Sequence, residues 1–127
     1  MLRDYHSYSQ LDVKDILKKS SNIGTAKIAI MLGDQRLYQY LRNFNIGSKL
    51  GVDLPGEEGG ILTPVKKWAP ISASRIAIGQ GVAVTGLQML GVLCAIANDG
   101  VLMRPFIIKK VINTEGKTVW ELSLIHI

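Results

Sequence analysis

The sequence contains few of the residue types that build disulfide frameworks or metal centres. Cys94 is the single cysteine among 127 residues, so a disulfide within the chain is excluded. The two histidines, His6 and His126, lie near opposite ends of the sequence and form no Cys/His ligand cluster for a metal. Because Cys94 lies in an apolar run of helical character, we expect it to be a buried and unreactive core residue. No cofactor is predicted.

Long apolar runs and concentrated charge are also lacking. No apolar run reaches the length of a transmembrane helix, and residues 1–15 carry charges where a signal peptide has its apolar core. We therefore expect any membrane anchor to lie outside this chain. The net charge is +5, but the basic residues are scattered, with no run of five or more. Since nucleic-acid binding usually shows a clustered basic stripe and aromatic platforms, no nucleic-acid partner is predicted.

The patterns that are present predict one largely helical domain. Apolar residues recur at helical spacing over residues 11–17 and again over 23–31. Thr85 is a suitable N-cap for a longer helix over about Gly86–Asn98. Two short apolar segments on either side of a Thr-Glu-Gly turn predict a β-hairpin near the C-terminal end. The residues of the longer helix that we expect to face inward are Leu87, Leu90, Leu93, Cys94 and Ala97.

The polar segment Ser20-Ser21-Asn22 separates the first two helical patterns. Ser and Asn disfavour helix interiors because their side chains compete for backbone groups. One interpretation is structural, with Ser21 or Asn22 as the N-cap of the second helix. The other is functional, because a break in the helix lets residues two apart, Ser20 and Asn22, point the same way. Taken alone, the segment is more typical of a cap.

Several stretches in order resemble the transpeptidase domain of high-molecular-weight penicillin-binding proteins, most closely the class B type of cell division and sporulation. The resemblance covers residues 1–122, which we interpret as part of such a domain. Residues 123–127 do not resemble the family and are expected to be a non-family tail, an artefact of the reading frame. The matching stretches are Arg3-Asp4-Tyr5-His6-Ser7-Tyr8, Ser20–Gly24, Gly51–Glu57, Pro64–Trp68, Ile78–Thr85, Ala97–Gly100 and Arg104-Pro105-Phe106.

The resemblance implies an α/β fold of the β-lactamase/transpeptidase type, of which this chain supplies mostly the helical subdomain plus a C-terminal β-hairpin. It implies a serine-type D,D-transpeptidase that cross-links peptidoglycan stem peptides through an acyl-serine intermediate and is acylated by β-lactams. The implied location is the bacterial cell envelope, at the outer face of the cytoplasmic membrane. The implied partners are divisome or other cell-wall synthesis proteins.

The family signature comprises Ser-x-x-Lys, a Ser-x-Asn type motif and Lys-Thr-Gly. Carried over to this chain, Ser20 is the hydroxyl that relays a proton, and Asn22 is the amide that positions substrate and the catalytic lysine. The middle residue, Ser21, should point away. These roles suit the side chains, because a hydroxyl both donates and accepts a hydrogen bond and a carboxamide offers an acceptor beside two donors.

The other two motifs are not found in this chain. No serine has a lysine three residues later, and Lys117-Thr118-Val119 has valine in place of glycine and lies in the predicted hairpin turn. We therefore expect the nucleophile to lie upstream of residue 1, Lys-Thr-Gly to lie downstream of residue 127, and the chain alone to be inactive. The alternative is a non-catalytic, penicillin-recognising sensor or interaction domain of the same fold.

Overall fold

The computed structural model describes residues 2–122, which fall into two compact units. The first unit holds the described residues up to Asn43 together with Ile61–Ala83, and the second holds Phe44–Gly60 together with the described residues from Val84 onward. The expected tail, residues 123–127, lies outside the described residues. Within residues 2–122, no helix is long and apolar enough to cross a membrane.

The first unit is mainly helical, with small residues where its helices meet. Helix α2 packs against α1, α3 and α4, and its buried residues are Ala26 and Ala29. Gly24 is needed at the α1–α2 contact, because a Cβ there would lie 2.7 Å from Cγ1 of Ile16. The elements are α1 (Val13–Lys18), α2 (Asn22–Leu32), α3 (Asp34–Asn43), β1 (Ile61–Leu62), a 3₁₀ turn (Val65–Lys67), α4 (Ser72–Ile76) and β2 (Val82–Ala83), the two strands pairing antiparallel.

The second unit consists of the loop 44–60, helix α5 (Gly86–Ala97) and a hairpin of β3 (Lys110–Ile112) and β4 (Thr118–Glu121). Its largest fully buried side chain is Gln88, which is 1% exposed. The two hydrogens of the Gln88 side-chain amide are shared among the carbonyls of Asn45, Ser48 and Gly59, whose oxygens lie 3.0, 2.9 and 2.8 Å from Nε2. The side-chain amide of Gln88 therefore anchors the loop 44–60 to helix α5.

Two sequence predictions for this unit are confirmed. Helix α5 starts after Thr85, whose side chain forms a capping box with Gln88. The hairpin is also present, and Lys117 lies in its turn, where its N–H donates to Oδ1 of Asn113 at 2.8 Å. The described residues thus form a helical portion with small β-hairpins, as the expected part of the α/β transpeptidase-like fold requires.

The predicted inner face of α5 is wrong. Leu90 and Leu93 are 56% and 60% exposed, and Cys94 is exposed rather than part of the core. The helix instead turns Gln88 and Ala95 inward, seven residues apart on one face, with Gly91 between them. The buried Gln88 amide satisfies its own hydrogen bonds with loop carbonyls.

Replacement of Gln88 by alanine tests the loop anchor. We expect Gln88→Ala to lower the free energy of unfolding by about 2–3 kcal/mol, because buried loop carbonyls lose their donor. Gln39→Ala is a matched control, since the Gln39 amide bonds only to exposed Asn43. We expect that control to change stability by no more than about 0.5 kcal/mol. Urea unfolding followed by circular dichroism measures both, and equal effects would contradict the anchor.

Candidate functional site

Helix α1 ends in a tight turn that places Ser20 in the left-handed region, with φ 51°. The N–H of Ser20 donates to the carbonyl of Leu17 at 3.1 Å, and the N–H of Ser21 donates to that of Ile16 at 3.0 Å. This pair of bonds is the Schellman arrangement, in which the left-handed position is usually glycine. A serine there costs about 1 kcal/mol relative to glycine. The predicted break in the helix is therefore present.

The Ser20 side chain is not used by this turn. Ser20 is exposed, and its hydroxyl has no hydrogen-bond partner within the described part of the chain. Ser20 therefore occupies a backbone position that favours glycine, and its hydroxyl makes no contact with the described residues that would stabilise the turn.

Ser21 is the N-cap of α2, which decides between the two predicted caps. Its Oγ accepts from the N–H of Gly24 at 2.9 Å and donates to Oδ2 of Asp4 at 2.7 Å. Ser21 is only 2% exposed. As expected of the middle residue, its side chain turns into the protein and serves the structure.

The segment Arg3-Asp4 clamps the start of α2. Oδ1 of Asp4 accepts from the N–H of Ile23 at 2.9 Å, while Oδ2 accepts from Ser21. The carbonyl of Arg3 accepts from the side-chain amide of Asn22 at 3.3 Å. Residues 21, 22 and 23 are therefore each held by one hydrogen bond to residues 3 and 4.

These bonds also set the ionisation of Asp4. The N–H of Ile23 and then the hydroxyl of Ser21 lower the pKa of the Asp4 carboxyl below its ordinary value. A carboxylate at the first turn of a helix is further favoured by the helix dipole. Asp4 is therefore ionised at neutral pH and remains an acceptor for both bonds.

Asn22 lies in the wall of a cavity of about 620 Å³ between α2 and the segment 71–80. One of its amide hydrogens is used by Arg3, while Oδ1 accepts no hydrogen bond from any described residue. The Gln80 side chain lines the same cavity. Ser20 is not among the lining residues, so the structure places one of the two predicted site residues here. That Ser20 and Asn22 act on one ligand stays a prediction.

Sequence reasoning missed Asp4 and Gln80 as site residues. Asp4 was only part of a matching stretch, and its contacts cross 17 and 19 positions of sequence. Gln80 was likewise only part of the matching stretch Ile78–Thr85, although a polar side chain between two glycines was a usable signal. Within residues 2–122, no group of three or more His, Cys, Asp or Glu side chains could hold a metal ion.

The Asp4 clamp predicts a pH dependence. Because the pKa of Asp4 is lowered on folding, its stabilising bonds are fully present above the ordinary aspartate pKa, about 4, and are lost as pH falls through the folded value. The Ile23 amide resonance in NMR should titrate below pH 4. Asp4→Asn should abolish that titration but leave that of Ile107, whose N–H donates to Asp53. An Ile23 titration that survives Asp4→Asn would contradict the clamp.

Known protein families and structures match most of this chain. The family model described as "Penicillin binding protein transpeptidase domain" matches residues 2–125. Penicillin-binding protein PbpB of Mycolicibacterium smegmatis is 40% identical over 116 residues, which are 91% of this chain and 18% of that protein. Peptidoglycan D,D-transpeptidase FtsI of Escherichia coli is 32% identical over 110 residues, 87% of this chain and 18% of FtsI.

Solved structures agree with this family assignment. Penicillin binding protein 3 of Mycobacterium tuberculosis, in complex with aztreonam, superposes with a TM-score of 0.92 at 35% identity, over 98% of this chain and 28% of that one. The same protein has been solved with ampicillin. The chain spans only about a fifth of the length of the curated relatives above. The motif order, the fold and these matches together show that the chain belongs to the penicillin-binding protein transpeptidase family, among relatives of class B.

Proposed function

We propose that this chain carries the Ser-x-Asn wall of a serine-type peptidoglycan D,D-transpeptidase, with residues 1–122 as part of that domain. The observation that carries the proposal is Ser20, an exposed hydroxyl kept at a left-handed position that favours glycine. Strained residues of this kind cluster at functional sites. The hydroxyl of Ser20 relays a proton, and the amide of Asn22 holds the substrate and the catalytic lysine.

The reaction needs groups that this chain does not contain. No Ser-x-x-Lys occurs in it, and in Lys117-Thr118-Val119 the third residue is valine, with Lys117 in the hairpin turn and the other two residues in β4. In the proposal, acyl transfer from stem peptides proceeds through a serine outside these 127 residues, and β-lactams acylate that serine. The enzyme then works in the bacterial cell envelope at the outer face of the cytoplasmic membrane, with divisome or other cell-wall synthesis proteins as partners.

A chimera tests the roles of Ser20 and Asn22. The matched segment of Mycolicibacterium smegmatis PbpB is replaced by this chain, and labelling by fluorescent penicillin is timed. We expect Ser20→Ala and Asn22→Ala each to slow acylation by about 10²- to 10³-fold, the usual effect of losing a proton-transfer or positioning group. Thr114→Ala, in the exposed hairpin turn, is the matched control and should not change the rate.

Two outcomes would overturn the proposal. The first is a folded chimera, shown by its thermal transition, that is not labelled, which would favour the non-catalytic sensor. The second is covalent, Ser20-dependent labelling of the isolated chain, because this chain is proposed to lack the nucleophile.

Ser20→Gly separates the structural from the functional cost of the serine. Because glycine adopts positive φ freely, we expect the free energy of unfolding to rise by up to about 1 kcal/mol. In the chimera, the same substitution should slow acylation as much as Ser20→Ala does. Urea unfolding and penicillin labelling measure the two effects. A Ser20→Gly chimera that is acylated at the unsubstituted rate would show that the hydroxyl has no catalytic role.

A further inference from the structure

We infer that the β3–β4 hairpin is a rigid arm that is held at its base by one latch, the carboxylate of Asp53. This inference goes beyond the proposed function, because neither the hairpin nor Asp53 belongs to the Ser-x-Asn motif. One oxygen of the carboxylate, Oδ2, accepts from the N–H groups of Ile107 and Ile108, each at 3.1 Å. These two residues lie just before β3, which begins at Lys110. The latch therefore joins the loop 44–60 to the segment that enters the hairpin.

The hairpin is bonded internally at both of its ends. At the base, the N–H of Leu122 donates to the carbonyl of Lys109 at 2.9 Å. At the turn, the N–H of Asn113 donates to the carbonyl of Lys117 at 2.9 Å, and Oδ1 of Asn113 accepts from the N–H groups of Glu115 and Lys117. The two strands pair between these ends. The hairpin can therefore move as one piece.

Burial does little to hold the strands in place. The three residues of β3 and the four residues of β4 are all exposed. Val111 and Trp120, which pair across the strands, are 45% and 44% exposed. An isolated two-stranded hairpin is marginally stable at best, because it buries little apolar surface. The orientation of the arm relative to the loop therefore depends on its base, where the Asp53 bonds lie.

The loop that carries Asp53 is itself fixed by side chains. The carboxylate of Glu57 accepts from the N–H groups of Leu50 and Gly51, the latter at 3.0 Å. The Arg104 guanidinium donates twice to the carbonyl of Gly51, at 3.0 Å from Nε and 2.7 Å from Nη2. Gly51 has φ 77°, and a Cβ there would lie 3.3 Å from Nε of Arg104, so glycine suits this contact. The latch is therefore attached to a loop that is held in position.

The charge of Asp53 strengthens the latch. The N–H of Ile107 and then that of Ile108 lower the pKa of the Asp53 carboxyl, and the positive charge of Arg104 lowers it further, while desolvation opposes the shift. The carboxylate is therefore ionised at neutral pH. Hydrogen bonds to an ionised acceptor are stronger than those between neutral groups. Removal of this one side chain should free the base of the arm and leave the bonds inside the hairpin intact.

Hydrogen exchange of single amides in the 127-residue chain tests the latch. We expect Asp53→Ala to speed exchange of the Ile107 and Ile108 amides about 10-fold, since both lose a charged acceptor. The amides of Asn113 and Leu122 should keep their exchange rates, because their bonds lie within the arm. Asp53→Asn keeps an oxygen acceptor without the charge, so it should give a smaller acceleration than Asp53→Ala.

The distance between two spin labels measures the movement of the arm. One label is attached to Cys94, which is exposed on α5, and the other to Thr114→Cys in the hairpin turn. We expect a narrow distribution of distances with Asp53 present and a broader one with Asp53→Ala. Glu58→Ala is the matched control for both measurements, since Glu58 is an exposed acid of the same loop. It should change neither the exchange rates nor the distribution.

Four results would overturn the inference. The first is unchanged exchange of Ile107 and Ile108 in Asp53→Ala, and the second is an unchanged distribution of distances. The third is equal acceleration of Asn113 and Leu122, which would mean that the hairpin melts rather than moves as an arm. The fourth is an effect of Glu58→Ala as large as that of Asp53→Ala. If the isolated chain shows no folded spectrum, the exchange is measured by mass spectrometry on the PbpB chimera, with the same expectations.

Discussion

The candidate site depends on one hydroxyl, that of Ser21, which donates to Asp4 and accepts from the start of α2. A hydroxyl can do both at once because it carries a proton and lone pairs on one atom. Here the two bonds join the start of α2 to the segment that contains Asp4. Ser20 and Asn22 flank this buried residue, and each is also held by a bond of its own, Ser20 to Leu17 and Asn22 to Arg3.

The three residues of the motif therefore have different roles. Ser21 supplies structure, while Ser20 keeps an exposed hydroxyl at a stability cost and Asn22 keeps a free acceptor in a cavity wall. Enzymes commonly retain strained or unsatisfied groups where function needs them, and the surrounding structure holds them in place. The cap belongs to the middle residue alone, which leaves the side chains of Ser20 and Asn22 available for the proposed site.

Local patterns in the sequence predicted local structure well. The helix break, the Thr85 cap and the hairpin depend on residues within a few positions of each other, and all three are present. The inner face of α5 was not predictable, because that helix carries apolar residues on every side and its orientation follows the bonds of Gln88 to a distant loop. The Gln88 bond to Asn45 spans 43 positions and leaves no periodic signal. For the same reason, the cavity that joins Asn22 with Gln80 could be seen only in three dimensions.

The contacts between Asp4 and the start of α2 also close a loop of chain. They join positions 17 and 19 apart, and the whole of α1 lies between them. A helix of six residues is too short to persist in water by itself. The entropy cost of closing a loop rises only slowly with loop length, so the Asp4 contacts can close this loop at a modest cost. Helix α1 and the Ser20 turn should therefore order and melt as one step, so a protease cut or a destabilising change within residues 5–11 would dismantle the site without touching any residue of the motif.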